Sequence, residues 1–247
     1  MCYYESYTNI ASLLINYGIN KYIKDKDGNL PIHMASELYN LNLIKLLLKD
    51  GVDINEVNYN GETPLHKACI KNKNIEIIKY LIDHGADINK TNNYGETPLM
   101  QACCKLTPCN YEIIQYLIDH GADINKVNNN GETPFLISCK VRNEMFAMVL
   151  LNNGADINKP DNKDNTPLFT TCKYKKLGIK LPLNLVEMDA DINKANNDGE
   201  TPLFELCRYR SVYIIKFYIE HSADINVVNN NVETPLTAAR LSKHENV

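Results

Sequence analysis

Six histidines and eight cysteines are the side chains of this 247-residue sequence best suited to binding a metal, attacking a carbonyl or moving a proton. Their spacing argues against that chemistry. His33 and His66 occupy equivalent slots, three residues after matching positions of a repeating pattern. His84, His120 and His221 each stand one residue before the point where a helical pattern ends, where an imidazolium complements the helix dipole. Cys69, Cys103, Cys139, Cys172 and Cys207 each lie six residues after a threonine (Thr63, Thr97, Thr133, Thr166, Thr201), and Cys2 takes the same slot when the register is extended backwards. Residues locked to a register read as structural. Equivalent positions of stacked helices lie about 8–10 Å apart, beyond the roughly 7 Å limit for a disulfide, so these six are expected to be small buried hydrophobes. Only Cys104 and Cys109 break the pattern. The run Cys103-Cys104-Lys105-Leu106-Thr107-Pro108-Cys109 lacks a second ligand pair at zinc-finger spacing. No P-loop, nucleophile elbow, dinucleotide fingerprint or HExxH is present. No metal, no cofactor and no enzymatic activity are expected.

Two rows of charge recur at the same register. Glu62, Glu96, Glu132, Glu200 and Glu233 each precede the repeat threonine, and Lys71, Lys105, Lys140, Lys173 and Arg208 follow it by seven or eight residues. Either both are solvated faces that keep the chain soluble, or they flank a polar groove for a partner of complementary charge. Residues at the predicted loop tips (Tyr59, Asn60, Tyr94, Asn129, Asn130, Lys163, Asp198, Asn231) vary between otherwise similar units. Tyrosine is a frequent interface anchor, which singles out Tyr59 and Tyr94. The candidate partner surface is therefore Tyr59, Asn60, Glu62, Lys71, Tyr94, Glu96, Lys105, Asn130, Glu132, Lys140, Lys173, Glu200 and Arg208.

The elements that position these residues follow from one pentapeptide. Gly61-Glu62-Thr63-Pro64-Leu65 returns as Gly95 to Leu99, Gly131 to Phe135 and Gly199 to Leu203, with altered copies at Gly28 to Ile32, Asp164 to Leu168 and Val232 to Leu236. Glycine permits positive φ, threonine can N-cap and proline suits the first helical position: a turn closing into a helix. The prolines at 31, 64, 98, 134, 167, 202 and 235 give a period near 33, the mark of stacked repeat units. In the unit 63–96, Leu65, Ala68 and Cys69 line a short helix. Ile75, Ile77, Ile78, Leu81 and Ile82 line a second one, Gly85 ends it, and Asn92-Asn93-Tyr94-Gly95 makes a tight reversal. The spacing from the ADIN aspartate to the next threonine is constant, while insertions fall between the helices, around Lys105 to Asn110 and Lys175 to Lys180.

Thr-Pro-Leu-His at 63–66, Ala68, Tyr80-Leu81-Ile82 and Gly85-Ala86-Asp87-Ile88-Asn89, all in one register, resemble the ankyrin repeat, and the resemblance covers essentially the whole chain. It implies an all-α ankyrin-repeat solenoid of helix–turn–helix units with protruding β-turn or hairpin loops. One domain, 1–247, is expected, with complete repeats at 30–62, 63–96, 97–132, 133–165, 166–200 and 201–233 and partial ones at 1–29 and 234–247. It also implies a noncatalytic protein–protein interaction scaffold that binds on the first-helix and loop face. The other readings are a substrate-recognition adaptor of a larger complex such as a ubiquitin ligase, and the regulatory arm of an enzyme or channel. In this family asparaginyl hydroxylation is known at the slot of Asn89, Asn125, Asn158, Asn193 and Asn226.

Several units depart from the pattern. Pro182 stands where the type unit has Ile78, so that second helix is expected to start near Leu181 and to be a turn shorter. Asp189 and Ser222 replace the helix-ending glycine, and Asp164 and Val232 replace the turn glycine. Valine at positive φ is strained, which predicts a deviating loop before Thr234 and a less stable C-terminal half. Neither end carries a cap-like design, as in a truncated product or a piece of a longer array, and a monomer is expected unless the uncapped ends associate. Net charge is −4, which offers no global basic field for nucleic acid or anionic membrane. No apolar run approaches the roughly 18 residues of a membrane helix, and no secretory signal opens the chain. Free thiols point to a reducing, intracellular setting, cytoplasm or nucleus.

Overall fold

The computed structural model describes residues 10, 13–14, 17–71, 75–104, 110–173, 180–209 and 212–241. Cys2, Lys105, Cys109, the insertions at 105–109 and 174–179, and most of the opening of the partial repeat 1–29 lie outside them. The regular elements among the described residues are all helices, with no strand. They group into two compact units, Met1–Asn129 and Asn130–Val247.

In the first unit, α1 (Pro31–Glu37), α3 (Pro64–Lys71) and α5 (Pro98–Cys103) stack on one another, and each packs on the helix that follows it: α2 (Leu41–Lys49), α4 (Ile75–Asp83) and α6 (Asn110–Asp119). The second unit repeats the plan. There α7 (Pro134–Lys140), α9 (Pro167–Cys172), α11 (Pro202–Tyr209) and α13 (Pro235–Leu241) stack, and α8 (Glu144–Asn152), α10 (Lys180–Glu187) and α12 (Val212–Glu220) back the first three. Every first helix begins at its proline. The hydroxyls of Thr97, Thr133 and Thr166 accept from the backbone N–H three residues on, at 3.3, 3.1 and 3.1 Å. Thr201 is the exception, its buried hydroxyl having no hydrogen-bond partner among the described residues.

Helices this short are unstable alone in water, so stacking holds them. Leu65, Cys69, Ile77, Ile78, Leu81, Leu99 and Cys103 are fully buried in the first unit, and Phe135, Phe146, Leu150, Leu168, Cys172, Phe204 and Tyr218 in the second. Each such Leu, Ile or Phe contributes about 1.5–3 kcal/mol of burial. The register cysteines are therefore core residues, as expected: Cys69, Cys103, Cys139 and Cys172 are buried, Cys207 is half-buried, and all five are free thiols. Burial pushes the Cys69 and Cys139 thiols far above their ordinary range, away from the reactive thiolate.

The departures are absorbed with little change. α10 begins at Lys180 and is one residue shorter than α8, a smaller loss than the full turn expected. Pro182 falls in its first turn, where the missing N–H has no intrahelical acceptor to lose. Asp189 and Ser222 take φ of 63° and 66° and close their helices with the bonds glycine makes elsewhere. Ala190 N and Ala223 N donate to Leu185 O and Tyr218 O at 3.0 and 2.9 Å, as Ala86 N does to Leu81 O. The expectation of a deviating loop before Thr234 is not met. Val232 adopts φ 61° and donates to Asn229 O at 3.0 Å, as Gly61 does to Asn58 O. The loop keeps its geometry and the valine takes the strain.

Candidate binding surface

Most of the loops are organised by the carboxamide of an asparagine. Asn58 Oδ1 accepts from Asn60 N and Glu62 N, both at 2.9 Å, while Asn58 N donates to Glu62 O at 3.1 Å. Asn92, Asn196 and Asn229 do the same in their loops. Successive tips are then laddered. In the first unit Asn93 N donates to Asn60 O and Asn129 N to Tyr94 O, both at 2.9 Å. In the second, Asn162, Asn197 and Asn230 donate to Asn130 O, Lys163 O and Asp198 O at 2.9–3.0 Å. The backbone of a tip is thereby spent on its neighbour, which leaves its side chain outward. Tyr59 and Tyr94 are 62% and 61% exposed, and Asn60, Asn130 and Lys163 are exposed too. Tyr59 is also steadied by Lys24, whose Nζ lies 5.5 Å from the ring centroid.

Two further ties join repeats. The ADIN asparagines bridge forward: Asn89 Nδ2 donates to Gly121 O at 2.9 Å and its Oδ1 accepts from Asp123 N at 2.8 Å. Asn55 and Asn193 do likewise. The buried His33 and His66 bridge on the other side. Nδ1 of His66 accepts from Thr63 N at 3.1 Å, and Nε2 lies 3.0 Å from Glu96 O. His33 Nδ1 accepts from Leu30 N at 3.1 Å, and its Nε2 meets Glu62 O and Glu56 O at 3.0 and 3.1 Å. Carbonyls only accept, so both rings are neutral with the proton on Nε2. Burial lowers both imidazoles below the ordinary histidine range, against the opposing pull of those carbonyls. His84, His120 and His221 sit at helix ends, Nδ1 donating at 2.8 Å to Tyr80 O, Tyr116 O and Phe217 O, with the imidazole stacked on that residue's ring. Among the described residues no cluster of three or more metal-ligating side chains forms.

The two charge rows meet each other. Lys140 pairs with Glu132, and Arg208 with Glu200, in each case eight residues apart. Arg208 Nη1 also reaches Glu205 at 3.3 Å, and its other nitrogen lies 3.7 Å from Glu233. Glu62 pairs at 3.0 Å with Lys67, a residue outside the expected row, and Glu96 accepts from Gln101. Glu62, Glu132 and Glu200 are buried, and Glu96 is half-buried. Burial would raise the Glu62 carboxyl, but Asn58 and Lys67 outweigh it and hold it low; at Glu200 the Arg208 guanidinium does so. Burial raises Glu205 instead. The side chain of Lys71, like all of Lys105, lies outside the described residues.

The loops exchange one pair of residue types, a pattern present in the sequence itself. Loops with Asn at the organising position carry Glu four residues on (Asn58/Glu62, Asn92/Glu96, Asn128/Glu132, Asn196/Glu200, Asn229/Glu233). Two loops reverse the pair, as Asp25/Asn29 and Asp161/Asn165. Every one of these seven loops keeps one carboxylate and one carboxamide, bonded at 2.8 Å in Asn58 Nδ2 to Glu62 Oε2 and at 3.1 Å in Asn165 Nδ2 to Asp161 Oδ2. In the second unit the exchange borders a groove of about 330 Å³ whose lining brings together Asn130, Glu132, Lys140 and Lys173 with Asp161 and Lys163.

The chain is similar to known repeat proteins. A family model described as "Ankyrin repeats (3 copies)" matches residues 40–128 and 109–193, and one described as "Ankyrin repeat" matches 198–227. The crystal structure of the human ASB11 ankyrin repeat domain superposes with a TM-score of 0.72 over 87% of this chain and 98% of that one, at 24% identity, a likeness of fold. A probable serine/threonine-protein kinase of Dictyostelium discoideum is 40% identical over 68 residues, 26% of this chain. The match covers 8% of that relative's length.

Proposed function

This chain belongs to the ankyrin-repeat family, and on that premise we propose that it is a noncatalytic binding module whose protein partner docks on the loop tips and the adjoining first-helix face. One observation carries this reading. The buried His33 and His66 are taken up in bridging neighbouring loops, while the variable tips Tyr59, Asn60 and Tyr94 have their backbones tied to adjacent loops and their side chains exposed. Rigid, tied aromatic residues bind with little further loss of conformational entropy. The ion-paired Glu62, Glu132, Lys140, Glu200 and Arg208, with the hydrogen-bonded Glu96, shape the charge beneath the tips, and Lys71, Lys105 and Lys173 complete the basic row in the sequence. A second reading, the regulatory arm of a larger enzyme, is favoured by the kinase match.

Affinity capture with mass spectrometry tests the first reading. Tyr59→Ala and Tyr94→Ala are expected to cut recovery of the main partner at least about fivefold, since interface tyrosines often exceed 1 kcal/mol. Unchanged recovery from both variants overturns this face.

A further inference from the structure

Along the basic row of the second unit one position differs from the others. Lys140 and Arg208 each find a glutamate eight residues earlier, Glu132 and Glu200. Lys173 occupies the same place in its repeat, and eight residues earlier stands Asn165. The carboxylate of that loop has moved to Asp161, where it is already spent: it accepts from Lys163 N at 2.8 Å, Asn165 N at 2.9 Å and Asn165 Nδ2 at 3.1 Å. Lys173 is exposed and makes no ion pair among the described residues. Its charge is felt at Glu200 and Glu205, but both of those are bonded to Arg208. Lys163, the exposed tip residue of the same loop, lines the same groove and has no carboxylate partner among the described residues. The lining of this recess sets Lys140, Lys163 and Lys173 against Glu132 and Asp161, which leaves one positive charge in excess there in a protein of net charge −4.

We propose that this groove is a carboxylate-recognition site, taking an aspartate or glutamate side chain of an acidic, extended partner segment between Lys163 and Lys173. The proposal rests on the reading of the chain as a protein-binding module and names the chemistry of its partner. Glu132 and Glu200 show the preference: the neighbouring cations of the row, at Lys140 and Arg208, are satisfied by carboxylates from within the chain, and at Lys173 the partner supplies it. The lining contains no arginine fork, which planar bidentate phosphate recognition favours. Two point charges in a mildly acidic protein fall short of the extended basic stripe that nucleic acid demands.

The test is fluorescence anisotropy of the full chain with a labelled decapeptide of alternating glutamate and serine, against its glutamine–serine counterpart, a phosphoserine decapeptide and a single-stranded RNA decamer. The glutamate peptide is expected to bind, more weakly as salt rises, and the glutamine peptide to bind at least about fivefold more weakly. Lys173→Gln and Lys163→Gln should each weaken it by about fivefold, one exposed charge pair's worth, with Lys90→Gln as the unaffected control. The decisive variant removes no lysine. Asp161→Asn with Asn165→Glu restores the common loop pair, hands Lys173 an internal carboxylate, and should weaken binding as much as Lys173→Gln while leaving the melting curve in place. Equal binding of the glutamate and glutamine peptides, no effect of the groove variants, or preference for the phosphoserine peptide or RNA overturns the proposal. If Tyr59→Ala and Tyr94→Ala abolish partner capture while the groove variants are inert, the binding module stands and this site falls. The converse result removes the tip face and keeps the groove.

Discussion

A histidine with one ring nitrogen facing a backbone N–H and the other a backbone carbonyl has no room for a second proton. His33 and His66 are in that position, and burial lowers both pKa values. Above about pH 6.5, the ordinary histidine value, folded and unfolded chains both hold neutral rings and the full stability is present. As pH falls through that value the unfolded rings protonate while the folded ones do not, so stability drains away toward the folded pKa. Glu62 and Glu200, held low in the folded state, lose their contribution only in a separate window, below about pH 4.5. Thermal melts of wild type are therefore expected to fall between pH 7 and pH 5. His33→Gln/His66→Gln should start lower by about 1–3 kcal/mol per lost set of buried bonds and show a flatter slope. An identical slope in the double variant would show that other groups control this window.

At the scale of the element, the loop glycine answers two demands that sequence alone does not separate. Gly61 sits at φ 74°, and a Cβ there would lie 2.5 Å from Asn93 Oδ1 of the following loop. Val232 meets only the first demand, at φ 61° with its side chain 83% exposed. The two substitutions should therefore have opposite signs. Val232→Gly relieves about 1–3 kcal/mol of strain, offset in part by the greater freedom of an unfolded glycine, for a net gain of about 1 kcal/mol. Gly61→Ala combines strain with collision against a tied loop and should cost about 2 kcal/mol or more. Urea denaturation of the two variants measures both; a destabilised Val232→Gly would mean that the valine makes a contact worth more than its strain.

At the scale of the molecule, strain is unevenly shared. Of the six described non-glycine residues at positive φ, Arg142, Asp164, Asp189, Ser222 and Val232 lie in 130–247, and Tyr39 alone in the first unit. Repeat arrays open locally, since stability is close to a sum of unit and neighbour terms. Hydrogen–deuterium exchange should find the helices of 130–247 less protected than those of the first unit, with α12 and α13 exchanging first. Equal protection would place compensating stability in the aromatic packing around Phe135, Phe146, Phe204 and Tyr218.

Local rules made much of this legible in advance. The prolines mark the first residue of each first helix, the threonine-plus-six slot marks core cysteines, and the histidine slots mark structural rings, because the period brings equivalent residues onto equivalent neighbours. The ladder of Asn93, Asn129, Asn162 and Asn230 onto preceding loops was not legible, nor was the pairing of the two charge rows with each other. Those depend on how far one repeat rises over the next, which no single repeat encodes. The Asp161/Asn165 exchange lies between. Both residues can be read from the chain, but only the folded loop shows that they bond to each other and so leave Lys173 without its glutamate. The sequence by itself determined the units, their order and their buried faces, because burial and capping are local demands. Which charges are spent inside and which are left for a partner was decided by the tertiary structure, because an ion pair exists only where stacking brings its two ends together.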